Sequence, residues 1–118
     1  MALTIYQYPK CGTCRKAKKW LDVRNMIDTD IHIVEHPPSA EEIKQLHEKS
    51  GLALKAFFNT SGQKYRELGL KDKLAEMSEE EQYQLLASDG MLIKRPIVTD
   101  GNQVTLGFKE DQFEKTWQ

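Results

Sequence analysis

The strongest constraint in the sequence is a pair of cysteines three positions apart, Cys11-Gly12-Thr13-Cys14, lying where one hydrophobic period gives way to another. Ahead of it, Leu3-Thr4-Ile5-Tyr6-Gln7-Tyr8 is rich in β-branched and aromatic residues and ends at Pro9, which predicts a short strand. Beyond Gly12, Cys14, Ala17 and Leu21 recur at three- and four-residue steps, with Trp20 beside them. That stripe predicts a helix whose other side carries Arg15, Lys16, Lys18, Lys19 and Asp22. Asp30-Ile31-His32-Ile33-Val34-Glu35, closed by Pro37-Pro38, predicts a second strand. Strand, helix, strand over this span is a βαβ unit, whose crossover makes the strands parallel.

The remainder completes one α/β pattern. Residues from about 39 to 90 read as a helical insert. Ser39 with Glu42, and Ser78 with Glu81, form capping-box patterns, and Gly51 and Gly90 are the expected stops. Asn59-Thr60-Ser61-Gly62 predicts a loop, and Tyr65 to Leu74 a short, broken helical stretch. Ile97-Val98-Thr99 and Val104-Thr105-Leu106 flank Asp100-Gly101, a two-residue hairpin signal whose register Asn102 and Gln103 leave open, and Lys109 to Trp117 predicts a last helix. The expected order is βαβ, helical insert, ββα, in a single domain over 1–118 around a mixed four-stranded sheet.

Composition narrows the partners. With 17 basic and 18 acidic side chains the formal net charge is -1, so nothing draws the chain generally to nucleic acid or an anionic membrane. No stretch approaches the ~20 apolar residues of a membrane span. The first residues do not read as a signal peptide, so the cytoplasm is the expected location.

In a reducing compartment a close cysteine pair is more often catalytic or metal-binding than structural. Cys11 falls at the start of the predicted helix, where unpaired N–H groups favour an anion and so lower a thiol's pKa. Lys10 and Arg15 can add to this. Cys14 lies one turn on, within disulfide reach but on the inward stripe. The expected division of labour is therefore attack by Cys11 and resolution by Cys14.

The alternatives for the pair are ordinary core cysteines and a zinc site. His32 and His36 have ligand-like spacing after Cys14. On a strand, however, they would stand ~13 Å apart at about 3.3 Å per residue, too far for one tetrahedral ion, so no metal is expected. His47 reads as a solvated side chain, and Lys16, Lys18 and Lys19 as a solvated face with a modest role in attracting acidic partners.

Tyr8-Pro9-Lys10-Cys11-Gly12-Thr13-Cys14-Arg15-Lys16-Ala17, then Leu92-Ile93-Lys94-Arg95-Pro96-Ile97, then Leu106-Gly107-Phe108-Lys109-Glu110, resemble the arsenate reductase/Spx family. The resemblance implies a thioredoxin-like fold with a helical insert. It also implies that Cys11 is the reactive cysteine, that Arg95 is an anion-binding residue, and that Pro96 is the proline that is cis in this fold. Several positions depart from the arsenate-reducing pattern. Its two further arginines fall at about Asn59 and at Gly107 or Phe108, its histidine ahead of the cysteine is Gln7, and its usual serine is Cys14. Hydrogen bonds to charged groups contribute about 1.5–3 kcal/mol each, so their loss predicts weak arsenate binding.

The expected activity is thiol–disulfide exchange on a disulfide-containing protein or glutathione mixed disulfide. Cys11 and Cys14 are its catalytic pair, and Arg95, Pro96, Lys10 and Arg15 are its substrate-binding residues. Glutathione or thioredoxin is the expected electron donor, with no bound cofactor. The alternatives implied by the resemblance are a redox-switched regulator binding the RNA polymerase α-subunit, and arsenate reduction itself.

Overall fold

A computed structural model of the 118-residue chain describes residues 2–118, which form two compact units. One comprises the chain up to His32 together with Arg95–Gln118; the other is Ile33–Lys94. The helical stretch expected over about 39–90 falls inside the second.

The first unit is an α/β sheet of four strands among the described residues, in the order β2-β1-β3-β4. Strand β1 (Leu3–Gln7) lies parallel to β2 (Ile27–His32), and α1 (Gly12–Asp22) supplies the crossover. Strand β3 (Ile97–Thr99) runs antiparallel to β1, and β4 (Val104–Leu106) antiparallel to β3. Helix α6 (Glu110–Trp117) closes the unit.

Its core joins the elements that the sequence periods picked out. Leu3 and Ile5, alternate residues of β1, meet the α1 stripe of Ala17, Trp20 and Leu21, with Val98, Phe113 and Trp117 completing the cluster. Phe113 stands edge-on to both Trp20 and Phe108, ring centroids 5.4 and 4.8 Å away. The indole N–H of Trp117 donates to the Thr105 hydroxyl at 3.2 Å, so its one polar atom is satisfied in the interior.

Two strand expectations need correction. The second strand covers 27–32, not 30–35, because pairing with β1 sets its register: Leu3 lies opposite Ile27 and Gln7 opposite His32. The β-branched run after His32 was a misleading local signal, overridden by that pairing. The β3–β4 connection is a four-residue loop, since Thr99 pairs with Val104. The Asp100 carboxylate accepts the N–H groups of Asn102 and Gln103 at 2.8 and 2.7 Å, holding the wider turn.

In the second unit, α2 (Ala40–Ser50) and α5 (Glu79–Ser88) both begin with complete capping boxes, from Ser39–Glu42 and Ser78–Glu81. Gly51 closes α2 in the left-handed conformation, φ 68°. The expected broken stretch is α3 (Gln63–Glu67) and α4 (Leu70–Lys73), followed by a single 3-10 turn. His47 is not a solvated side chain: its Nδ1 lies 2.7 Å from the Tyr83 hydroxyl, and its ring stands edge-on to Phe57.

Candidate active site

Cys11 is the N-cap of α1, in an extended conformation (φ -91°, ψ 119°). Three hydrogen bonds fix it. Its N–H donates to the Tyr8 carbonyl at 2.9 Å, its carbonyl accepts the Arg15 N–H at 3.1 Å, and its Sγ accepts the Cys14 N–H at 3.4 Å. The chain turns here because Pro9 ends the strand and the Cys11 sulfur takes the place of a capping oxygen. Cys11 is half-buried, whereas Cys14 is fully buried on the inner stripe of α1.

The two thiols are electrostatically unlike. Burial pushes the Cys11 thiol up, but the Cys14 thiol and N–H, the positive charge of Arg95 and the Thr13 N–H together hold it below the ordinary cysteine value. Cys14 moves the opposite way, pushed up to about 12 mainly by burial; a main-chain hydrogen bond from Tyr8 opposes this, and the hydrogen bond and negative charge of Cys11 add to it. The first proton lost from the pair is therefore that of Cys11, while Cys14 holds its own.

Of the residues expected around the cysteines, Arg95 is the one whose charge acts on both. It begins the turn into β3, and its guanidinium lies over the Tyr8 ring, Cζ 5.3 Å from the centroid. The Arg95–Pro96 peptide bond is cis, and the Pro96 carbonyl accepts the N–H of Gly107 at 2.9 Å. Lys10 and Arg15 are exposed at the same helix entrance. The Arg15 guanidinium is turned back onto the Pro9 carbonyl at 3.0 Å, and neither cation contributes to the lowered Cys11 pKa. That part of the expectation is corrected: the lowering comes first from the hydrogen bonds of Cys14 and then from the charge of Arg95, just ahead of β3.

Two features escaped the sequence reading. Tyr8 holds the site from both ends, with its carbonyl on Cys11 and its ring under Arg95, and His32 stands edge-on to that ring at 5.6 Å. Behind them, buried Gln7 donates to Asp30 at 2.8 Å, and Asp30 pairs with Lys18 at 2.7 Å, so Lys18 is not simply solvated. Tyr8 adjoins the cysteine motif and was open to notice. His32 and Asp30 carry no local signal, because only strand pairing brings them alongside.

Other residues stand at about the positions where the resemblance implies two further arginines. Asn59 lies in the second unit, its N–H on the Leu92 carbonyl at 2.8 Å. Gly107 is buried with φ 75°, a conformation that suits glycine, and Phe108 packs on Phe113. Among the described residues no group of three or more His, Cys, Asp or Glu side chains is arranged to hold a metal ion, and no helix is long and apolar enough to cross a membrane.

Comparison with known proteins agrees with this geometry. The ArsC family model matches residues 6–116, and the chain belongs to that family. It is 70% identical to YusI of Bacillus subtilis, an uncharacterised protein, over 99% of both chains. It is 26% identical to the global transcriptional regulator Spx of the same organism, over 96% of this chain and 85% of Spx. The structure of an arsenate reductase from Vibrio cholerae superposes with a TM-score of 0.87 at 30% identity, covering 98% and 97% of the two chains. Solved members of the family share the thioredoxin-like architecture seen in the first unit.

Proposed function

We propose that this ArsC-family chain is a thiol–disulfide oxidoreductase in which Cys11 attacks and Cys14 resolves. The observation that carries the reading is the opposed pair of shifts, one sulfur eased towards thiolate and its neighbour held as thiol. The Cys11 thiolate attacks one sulfur of a substrate disulfide, forming a mixed disulfide and expelling the other half as thiolate. Cys14 then gives up its proton and attacks the Cys11 sulfur. The Cys11–Cys14 disulfide forms, and the second substrate half leaves as a thiol carrying that proton. The substrate gains two electrons and the protein loses two, which glutathione or a reduced thioredoxin returns.

Arg95 orients an acidic group of the substrate beside Cys11, Pro96 shapes the adjoining surface, and Lys10 and Arg15 add positive charge at the rim. Such a cycle suits the cytoplasm, where thiols are kept reduced. A glutathione mixed disulfide or a disulfide-bearing protein fits this arrangement better than arsenate, given Asn59, Gly107 and Phe108 at the family's arginine positions.

The similarity to Spx along nearly the whole chain favours one second reading. In it the same disulfide acts as a switch that alters affinity for the RNA polymerase α-subunit. Turnover separates the two. Reduction of a glutathione mixed disulfide, followed with glutathione and with a thioredoxin system and run beside arsenate, should be catalytic in the wild type and absent in Cys11→Ser. A single stoichiometric oxidation without turnover would leave the switch reading in its place.

A further inference from the structure

We infer that the face of α1 remote from the cysteine pair is a docking groove for an acidic peptide segment of a partner protein, anchored by one apolar side chain. The groove is lined by Lys16, Lys19, Trp20, Val23 and Phe108 and has a volume of about 270 Å³. That is below the roughly 300–1,000 Å³ typical of small-molecule pockets and suits the insertion of a single side chain. Val23, at the edge of the groove, is 67% exposed.

Charge names the occupant. Lys16 and Lys19 are exposed, three residues apart on one helix, and neither makes an ion pair among the described residues. Asp30 is taken by Lys18, and the charge of Asp22 also acts on Lys18. Arg24 adds a third cation, its guanidinium stacked 3.7 Å from the centre of the Trp20 ring. The floor is rigid, because Trp20 and Phe108 are both braced edge-on by Phe113. The buried indole N–H of Trp20 has no acceptor among the described residues. Aromatic side chains at the floor with cations at the rim match the usual anatomy of an anchoring site for a complementary chain.

The test uses the full ¹⁵N-labelled chain and a short synthetic peptide holding one leucine flanked by glutamates. At millimolar peptide, the Trp20 indole and Val23 amide resonances should shift together and the shifts should weaken with salt. Lys16→Glu combined with Lys19→Glu should weaken binding by about tenfold, as expected for reversing two exposed charges. Val23→Asp should remove it, while the rest of each variant's spectrum stays that of the folded wild type. Four outcomes would overturn the inference: no shift at millimolar peptide, shifts confined to another surface, equal binding of the lysine-for-glutamate peptide, or binding to anionic lipid vesicles in preference to the peptide.

Discussion

The guanidinium of Arg95 lies over the ring of Tyr8, 5.3 Å from its centroid, while the carbonyl of Tyr8 accepts the N–H of Cys11. One residue thus ties the end of β1, the mouth of α1 and the turn before β3 into a single electrostatic unit. Positive charge reaches the Cys11 sulfur from a side chain brought to it by β1–β3 pairing.

Removal of that charge should make Cys11 less acidic. The sign follows from the thiolate being the form that Arg95 favours: in Arg95→Ala the pKa rises, and the thiolate fraction at neutral pH falls. Iodoacetamide alkylation measured against pH should show its midpoint moving upward. The two proteins' rates should converge in alkaline solution, where both sulfurs are fully ionised. Arg95→Lys should lie between them. A midpoint unmoved in Arg95→Ala would contradict the assignment.

Under the proposed division of labour, removal of Cys14 should trap the mixed disulfide at Cys11. Cys14→Ser treated with glutathione disulfide should carry one glutathione on Cys11 by mass spectrometry, whereas Cys11→Ser should carry none. Because Cys14 is pushed up to about 12 and fully buried, brief alkylation of the reduced wild type near neutral pH should label Cys11 alone. Adduct found instead on Cys14 would reverse the roles.

Helix α6 should anchor the sheet through Phe113. This ring is fully buried and contacts both Trp20 and Phe108 edge-on. Phe113→Ala should cost about 3–5 kcal/mol of unfolding free energy, the usual loss for a buried phenylalanine. Urea denaturation followed by fluorescence would measure it, and a loss below 1 kcal/mol, about that of a surface change, would mean the cluster collapses freely.

Gly90 should tolerate no side chain. A Cβ at this position would run into the main-chain carbonyl of Ile33, which cannot swing aside as a flexible side chain could. Gly90→Ala should therefore lower stability by about 1–3 kcal/mol or more, the range for overpacking. Thermal unfolding beside Gly12→Ala is the comparison, since a Cβ at Gly12 meets nothing within 4 Å.

The helix caps of the second unit offer a milder change. Ser39→Ala and Ser78→Ala each remove an oxygen that accepts an N–H at 3.1 Å, from Glu42 and Glu81 respectively. Each should cost about 0.5–2 kcal/mol, read as a lower denaturation midpoint with unchanged slope.

What the sequence determined by itself was whatever short-range physics controls. The cysteine pair at a strand-to-helix junction, the α1 stripe of Cys14, Ala17 and Leu21, both capping boxes and the stop at Gly51 all depend on residues within a few positions of one another. Tertiary structure decided the rest. The span of β2 followed its pairing with β1 rather than its own β-branched run, and the hairpin loop followed the match of Thr99 to Val104. Arg95 acts on Cys11, and Lys10 and Arg15 do not, because strand pairing brings in the first while a hydrogen bond to Pro9 turns Arg15 away. Periodicity and capping are written along the chain; register, burial and the field at a sulfur arise only when distant segments meet.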